Sequence, residues 1–240
     1  PYRAKTLPTS RAEEVAADND KFRLELGSGA QVDVEGRQRL YRRAVRAADE
    51  QLQAIASTIE RHGSGRESLI VVTADHGESF GDHGAVGHGR SLYGPAHHVP
   101  LLLIGKGFTP GLTLDASVSN GQLAATLYDW AGIEASDRSL LRDVGPGAAP
   151  RTVAVWFPRG SMVQSGTWRL IWTEFPYLLD RPESWAHREQ YELFDLSRDP
   201  GERTNLFAAR PPELGPLLDA LESHWLIPRA SQERAIKQRP

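Results

Sequence analysis

The 240-residue sequence predicts an α/β chain: a three-layer α/β/α core with a partial, mostly parallel sheet over residues 1–148, then a small α+β subdomain on an antiparallel sheet over 149–240. Three observations carry that reading. Leu69-Ile70-Val71-Val72 is an unbroken apolar run rich in β-branched residues, too short for a helix and apolar on both faces, as a strand covered on both sides must be. Leu101 to Ile104 repeats the signature after Pro100, with helix-spaced segments around the two strands, which argues for packed layers. Beyond the Gly/Pro/Ala-rich stretch Val144 to Pro150 the texture changes to short alternating pieces separated by turn residues.

The elements follow in chain order. Residues 1 to about 35 are polar and carry a turn at Gly27-Ser28-Gly29, so they read as an irregular surface segment. From Gly36 to Arg61, Leu40, Ala44, Val45, Ala48, Leu52, Ile55 and Ile59 recur at three- and four-residue steps on one helix face, and His62-Gly63 ends the helix. Gly105-Lys106-Gly107 closes the second strand. Ser119 and Gln122 have capping-box spacing, and Leu123, Leu127 and Trp130 form a stripe, so a helix is expected over about 120–131. In the subdomain, Arg151 to Trp156 reads as a strand, and Met162 to Gln164 and Thr167 to Thr173 as a hairpin around Ser165-Gly166, with Trp168, Leu170 and Trp172 on one face. Tyr191 to Leu196 makes another strand, Asp199-Pro200-Gly201 a turn, and Leu214, Leu217, Leu218, Leu221 and Trp225 one side of a last helix.

Composition bounds the function. A formal net charge of −3 gives no broad electrostatic reason for nucleic acid or an anionic membrane surface; only Pro228 to Pro240 is locally basic. With no cysteine there is no disulfide, thiolate metal site or cysteine nucleophile within these residues. The longest apolar runs fall far short of the roughly 18 residues of a membrane span.

The chemistry gathers in Ser68 to Gly94, SLIVVTADHGESFGDHGAVGHGRSLYG. Strand ends at the carboxyl edge of an α/β sheet face the ligand crevice, and Asp75 and His76 sit just past such an end. A carboxylate beside an imidazole offers a hard oxygen and a borderline nitrogen, which suits calcium, magnesium, manganese or zinc according to the remaining ligands. Gly77 fits a tight turn that lets the adjacent side chains converge. The competing reading is a local cap at Asp75 and a hydrogen-bonded loop histidine at His76. Five of the eight histidines, His76, His83, His88, His97 and His98, fall within 76–98, which favours a site.

The stretch VVTADHGESFGDHG followed by GHGRSLYGPAHHVPLLLIGKG resembles the C-terminal half of the sulfatase branch of the alkaline phosphatase superfamily. The likeness extends to YRRAVRAADEQLQAI, VSNGQLAATLYDWAGI and YELFDLSRDPGERTNL, five segments in order over about residues 37–207. It implies that Asp75 and His76 are metal ligands, with calcium the first expectation, and that His88 touches the oxygens of the group being transferred. His83 is expected to hold the Asp82-His83-Gly84 turn, His98 to pack or bond locally, and Arg90 and Lys106 to be solvated.

The resemblance also sets expectations about what lies elsewhere. The family's nucleophile and two further metal ligands have no match here, and Pro1-Tyr2 resembles the end of an H-x-P-Y element. The chain is therefore expected to supply the second half of an active site completed by an N-terminal half, acting on a sulfate ester of a small molecule or glycan. Two alternatives stand: a phosphoesterase or phosphoglycerol/phosphoethanolamine transferase of the same superfamily, and a non-catalytic sulfatase-like binding module. Relatives are often exported or membrane-tethered, and the loops over 1–35 and 173–190 are expected to shape specificity.

Overall fold

The computed structural model describes residues 33–63, 67–89, 91–113, 116–134, 139–143, 152–157, 160–173 and 189–223. Helix α1 (Val34–His62) opens where the Asp33 carboxylate accepts the Gly36 N–H at 2.8 Å. Glu35 in its first turn and Arg61 and His62 in its last oppose the helix dipole. Of the stripe read from the sequence, Leu40, Ala44, Leu52 and Ile59 are half-buried, while Val45, Ala48 and Ile55 are exposed among the described residues. Tyr41 meets the ring of Phe80 edge-on at 5.1 Å, which ties this helix to the loops that follow the first strand.

Strand β1 (Leu69–Thr73) leads into a minimal hairpin, β2 (Ser79–Phe80) and β3 (Val86–Gly87), then a one-turn helix α2 (Gly94–His97) and strand β4 (Leu101–Gly105). β1 and β4 pair antiparallel, with Val71 opposite Leu103. This corrects the mostly parallel sheet expected for the two strands. An unbroken apolar run says nothing of direction, and here it does not report cover on both faces either, since Leu102 and Ile104 of β4 are exposed. Direction follows from the connection, and the short elements between β1 and β4 provide no crossover helix of the kind a parallel pair needs. A 3₁₀ turn at Asn120–Gln122 then starts helix α3 (Leu123–Trp130), and its capping box is formed as read. Gln122 Oε1 accepts the Ser119 N–H at 2.9 Å, and Ser119 Oγ the Gly121 N–H at 3.2 Å. Helix α4 (Leu140–Asp143) docks by donating the Leu140 N–H to the buried Thr126 hydroxyl.

The C-terminal sheet is β5 (Thr152–Phe157), β6 (Gly160–Ser165), β7 (Trp168–Thr173) and β8 (Tyr191–Asp195), antiparallel in that order. The β6–β7 loop is Gly166-Thr167, one residue later than the sequence reading. Its first position takes φ +57°, which glycine adopts without penalty. Residues alternate between two buried faces. Val163, Leu170, Trp172, Tyr191 and Leu193 pack on Leu214, Leu217 and Leu221 of helix α5 (Leu214–Ser223). The opposite face, Met162, Ile171 and Phe194, is covered by Leu92 and Tyr93. Each of these large side chains contributes about 1.5–3 kcal/mol by leaving water, so the segment after β3 is held firmly to this sheet.

No described helix is long and apolar enough to cross a membrane. The polar segment 1–32, Arg90, the Val144 to Pro150 stretch, residues 174–188 and Trp225 with the basic tail lie outside the described residues.

Candidate metal centre

The ladder of β1 ends at Thr73. Two residues on, the Asp75 side chain is 89% exposed and that of His76 43% exposed, so both face an open surface. Asp75 Oδ1 accepts the His76 N–H at 3.0 Å, which turns the carboxylate toward the imidazole. His76 Nδ1 lies 2.9 Å from Gly77 O, and a carbonyl oxygen can only accept, so Nδ1 carries the proton. That leaves Nε2 as an electron-pair donor, 3.8 Å from Asp75 Oδ2. The separation is too long for a hydrogen bond. It is short enough for both atoms to reach one ion, since metal–ligand bonds run about 2.0–2.6 Å.

Gly77 serves this arrangement differently from the expectation. It is not among the glycines with positive φ, so no turn requires it. A Cβ at that position would overlap the Pro95 carbonyl oxygen of α2, and the Gly77 N–H donates to Ala96 O at 2.8 Å. Gly77 is glycine because two backbones touch there.

His88 comes alongside through the hairpin. Ser79 pairs with Gly87, so the next positions outward, Glu78 and His88, face each other across it. His88 Nδ1 sits 3.2 Å from Glu78 Oε2, and the carboxylate accepts from it. The His88 ring stacks on that of His76 with centroids 4.0 Å apart and planes at 24°. With Nδ1 committed to Glu78, Nε2 of His88 is the nitrogen left for another partner. Three of the residues singled out in the sequence, Asp75, His76 and His88, thus lie together, and Glu78 joins them unforeseen. The hairpin register is the signal that could have found it.

Two of the remaining histidines have structural contacts, and His98 does not show the packing expected of it. His83, at φ +51°, sends Nε2 to within 3.1 Å of Gly201 O and stacks on Tyr93 at 3.5 Å, so its side chain pins the turn to the C-terminal part, while the turn itself is closed by backbone hydrogen bonds. His97 Nε2 lies 3.1 Å from Ser91 O. His98 is exposed, and Lys106 pairs with Glu67.

The segment that carries the site is clamped to the C-terminal sheet by polar links that sequence reading missed. Glu202, 3% exposed, accepts from Arg169 Nη1 through Oε1 and from the Gly94 N–H through Oε2, both at 2.6 Å. Tyr93 donates its hydroxyl to Glu192 Oε1 at 2.6 Å. Burial, then the Glu192 charge, pushes the Tyr93 phenol far above its ordinary value.

Two donors of suitable chemistry, exposed and within reach of one another, fit part of a divalent-cation site. Among the described residues no group of three or more His, Cys, Asp and Glu side chains is arranged to hold a metal ion. Asp75 and His76 therefore offer two donor atoms and not a whole cage.

A family model described as Sulfatase matches residues 2–133. Among curated proteins, arylsulfatase K of Bos taurus is 28% identical over 184 residues, covering 71% of this chain and 33% of its own length. The Mus musculus arylsulfatase K is 32% identical, covering 64% and 29%. Choline-sulfatase of Rhizobium meliloti (strain 1021) is 29% identical, covering 72% and 34%. The chain spans about a third of the length of these relatives. Among solved structures, a protein in complex with its substrate D-glucosamine-2-N,6-O-disulfate superposes with TM-score 0.62 at 24% identity, over 82% of this chain and 40% of its own. A 2-O GAG sulfatase superposes with TM-score 0.55 at 23% identity, over 80% and 41%. These likenesses establish a shared α/β fold.

Proposed function

The chain belongs to the sulfatase family, and from that premise we propose that it supplies the second half of the active site of a metal-dependent sulfuric ester hydrolase acting on a sulfated glycan. The observation that carries this reading is the pair of electron-pair donors, Asp75 Oδ2 and His76 Nε2, side by side at the open end of β1 with the His88 ring against His76. The relatives named above are sulfatases, and one structural neighbour is seen with a sulfated sugar, which supports a sulfate ester over a phosphate ester.

Asp75 and His76 would hold one divalent ion, calcium first and manganese, zinc or magnesium as alternatives. When bound, the ion supplies positive charge that polarises the ester oxygens and acidifies the attacking group. The nucleophile and the remaining ligands are assigned to the N-terminal half. Hydrolysis breaks one S–O bond, the alcohol leaves with a proton, and water supplies the oxygen retained on sulfate. His88, giving one N–H of its imidazolium form from Nδ1 to Glu78, would donate the other from Nε2 to the sulfuryl oxygens and steady the charge that grows there in the transition state. The His76 tautomer is set by the Gly77 carbonyl, so no side-chain reorganisation is needed to present Nε2.

The test is turnover by the full-length protein of paired aryl sulfate and aryl phosphodiester substrates under defined calcium, manganese or zinc. The sulfate is expected to be the better substrate. Preference for the phosphodiester would move the assignment to the phospho-transferring branch, and no turnover of either would favour a binding module.

A further inference from the structure

We propose that Asn120 is a positioning residue for the Asp75–His76 ligand pair. The inference rests on the metal-site reading above and concerns what aims that pair.

Beyond Thr73 the ladder gives no support to the chain, yet the ligands must keep one geometry. Two anchors bracket them. At the near end, Asn120 Nδ2 donates to Ala74 O at 2.8 Å, and Thr73 Oγ1 donates to Asn120 Oδ1 at 3.0 Å. At the far end, the Gly77 N–H donates to Ala96 O at 2.8 Å. The Ala74–Asp75 peptide is planar, so fixing its oxygen fixes the direction in which the Asp75 N–Cα bond leaves. Likewise, holding the amide of Gly77 fixes the peptide that carries His76. Asp75 and His76 therefore sit between two pinned peptide planes.

Asn120 suits its end for a chemical reason. A carbonyl needs a donor and a hydroxyl an acceptor, and a primary amide offers both from one planar group. Aspartate at 120 would have no proton for Ala74 O. Asn120 is itself immobilised, because it lies inside the capping box closed by Ser119 and Gln122. The rigid start of α3 is thus coupled by side-chain hydrogen bonds to the last residues before the ligands.

Outer partners that orient metal ligands typically change affinity by about 10–100-fold when removed. The experiment is calcium titration by calorimetry of the full-length protein carrying Asn120→Ala or Asn120→Asp, at a temperature where circular dichroism shows each variant folded. We expect calcium binding weakened by about 10–100-fold, with turnover restored by excess calcium. Unchanged calcium affinity with only a lowered Tm would overturn the proposal and leave Asn120 as a clamp between helix and strand. If both variants fail to fold, Thr73→Val decides, since it removes one of the two bonds: weaker calcium binding supports the role, and unchanged binding refutes it. Asp75→Ala separates the two levels. If Asp75→Ala keeps its calcium, the metal-site reading itself fails; if it loses calcium while the Asn120 and Thr73 variants retain it, only this inference fails.

Discussion

The imidazole rings of His76 and His88 stack with centroids 4.0 Å apart, and each ring has its Nδ1 spoken for, by the Gly77 carbonyl and by the Glu78 carboxylate. Both Nε2 atoms are consequently directed by neighbours that cannot take a metal's place. Such an arrangement orients two different nitrogens beside one exposed carboxylate. It makes the loop from Ala74 to Ala96 the sensitive part of the molecule.

Gly77→Ala should be far more damaging than Gly84→Ala. At 77 the new methyl overlaps the Pro95 carbonyl, backbone against backbone, with no flexible side chain to yield. At 84 there is open space, and the cost is confined to φ +75°. Urea denaturation should give a loss of about 1–3 kcal/mol or more for Gly77→Ala, against about 1 kcal/mol for Gly84→Ala. Equal losses would show that Gly77 is not a contact glycine.

Glu202→Ala should destabilise the protein although it lies 126 residues from His76 in sequence (202 − 76). Its side chain is 2% exposed and that of Arg169 7%, so deletion strands a guanidinium in the interior and frees the Gly94 amide. A loss of about 3–5 kcal/mol is expected from breaking one side of a buried pair. Because Leu92 and Tyr93 pack on the same sheet, calcium affinity should fall with it. A stability change under about 1 kcal/mol would mean that the pair is solvated, as exposed pairs are.

Tyr93 should make stability fall in alkali. Its phenol is held above its ordinary value of 10.0 by burial and by Glu192, so the folded state keeps a proton that the unfolded chain releases. This contribution is fully present below pH 10 and is lost as pH rises beyond it. Tyr93→Phe should lose about 1–3 kcal/mol near neutrality, with the hydroxyl's bond to Glu192 gone, yet show a flatter decline between about pH 9 and 11. A parallel decline in both proteins would assign the alkaline loss to other groups.

What the sequence made legible divides along physical lines. The helix at Val34–His62, the capping box at Ser119 and Gln122, and the Trp168, Leu170, Trp172 face depend on local spacing, and all three stand in the structure. The direction of β4 against β1 was not legible, because apolar character carries no polarity of chain. The hairpin loop was misplaced by one residue, since two neighbouring positions around Gly166 satisfy the same turn rule until φ is known. Asp75 and His76 were singled out by residue type at a strand end and His88 through the family resemblance, and the structure brings the three together. Glu78 was missed because the register of its two-residue hairpin was not read, and Asn120 and the Arg169–Glu202 clamp because each acts on a partner that only the tertiary structure brings near.

The central claim, that one cation is shared by the Asp75 carboxylate and His76 Nε2, is tested most directly by electron spin echo envelope modulation of the manganese-loaded full-length protein. The account predicts nitrogen modulation from a directly bound imidazole, abolished in His76→Ala and retained in His88→Ala. Modulation that survives in His76→Ala, or its absence from the unsubstituted protein, would contradict it.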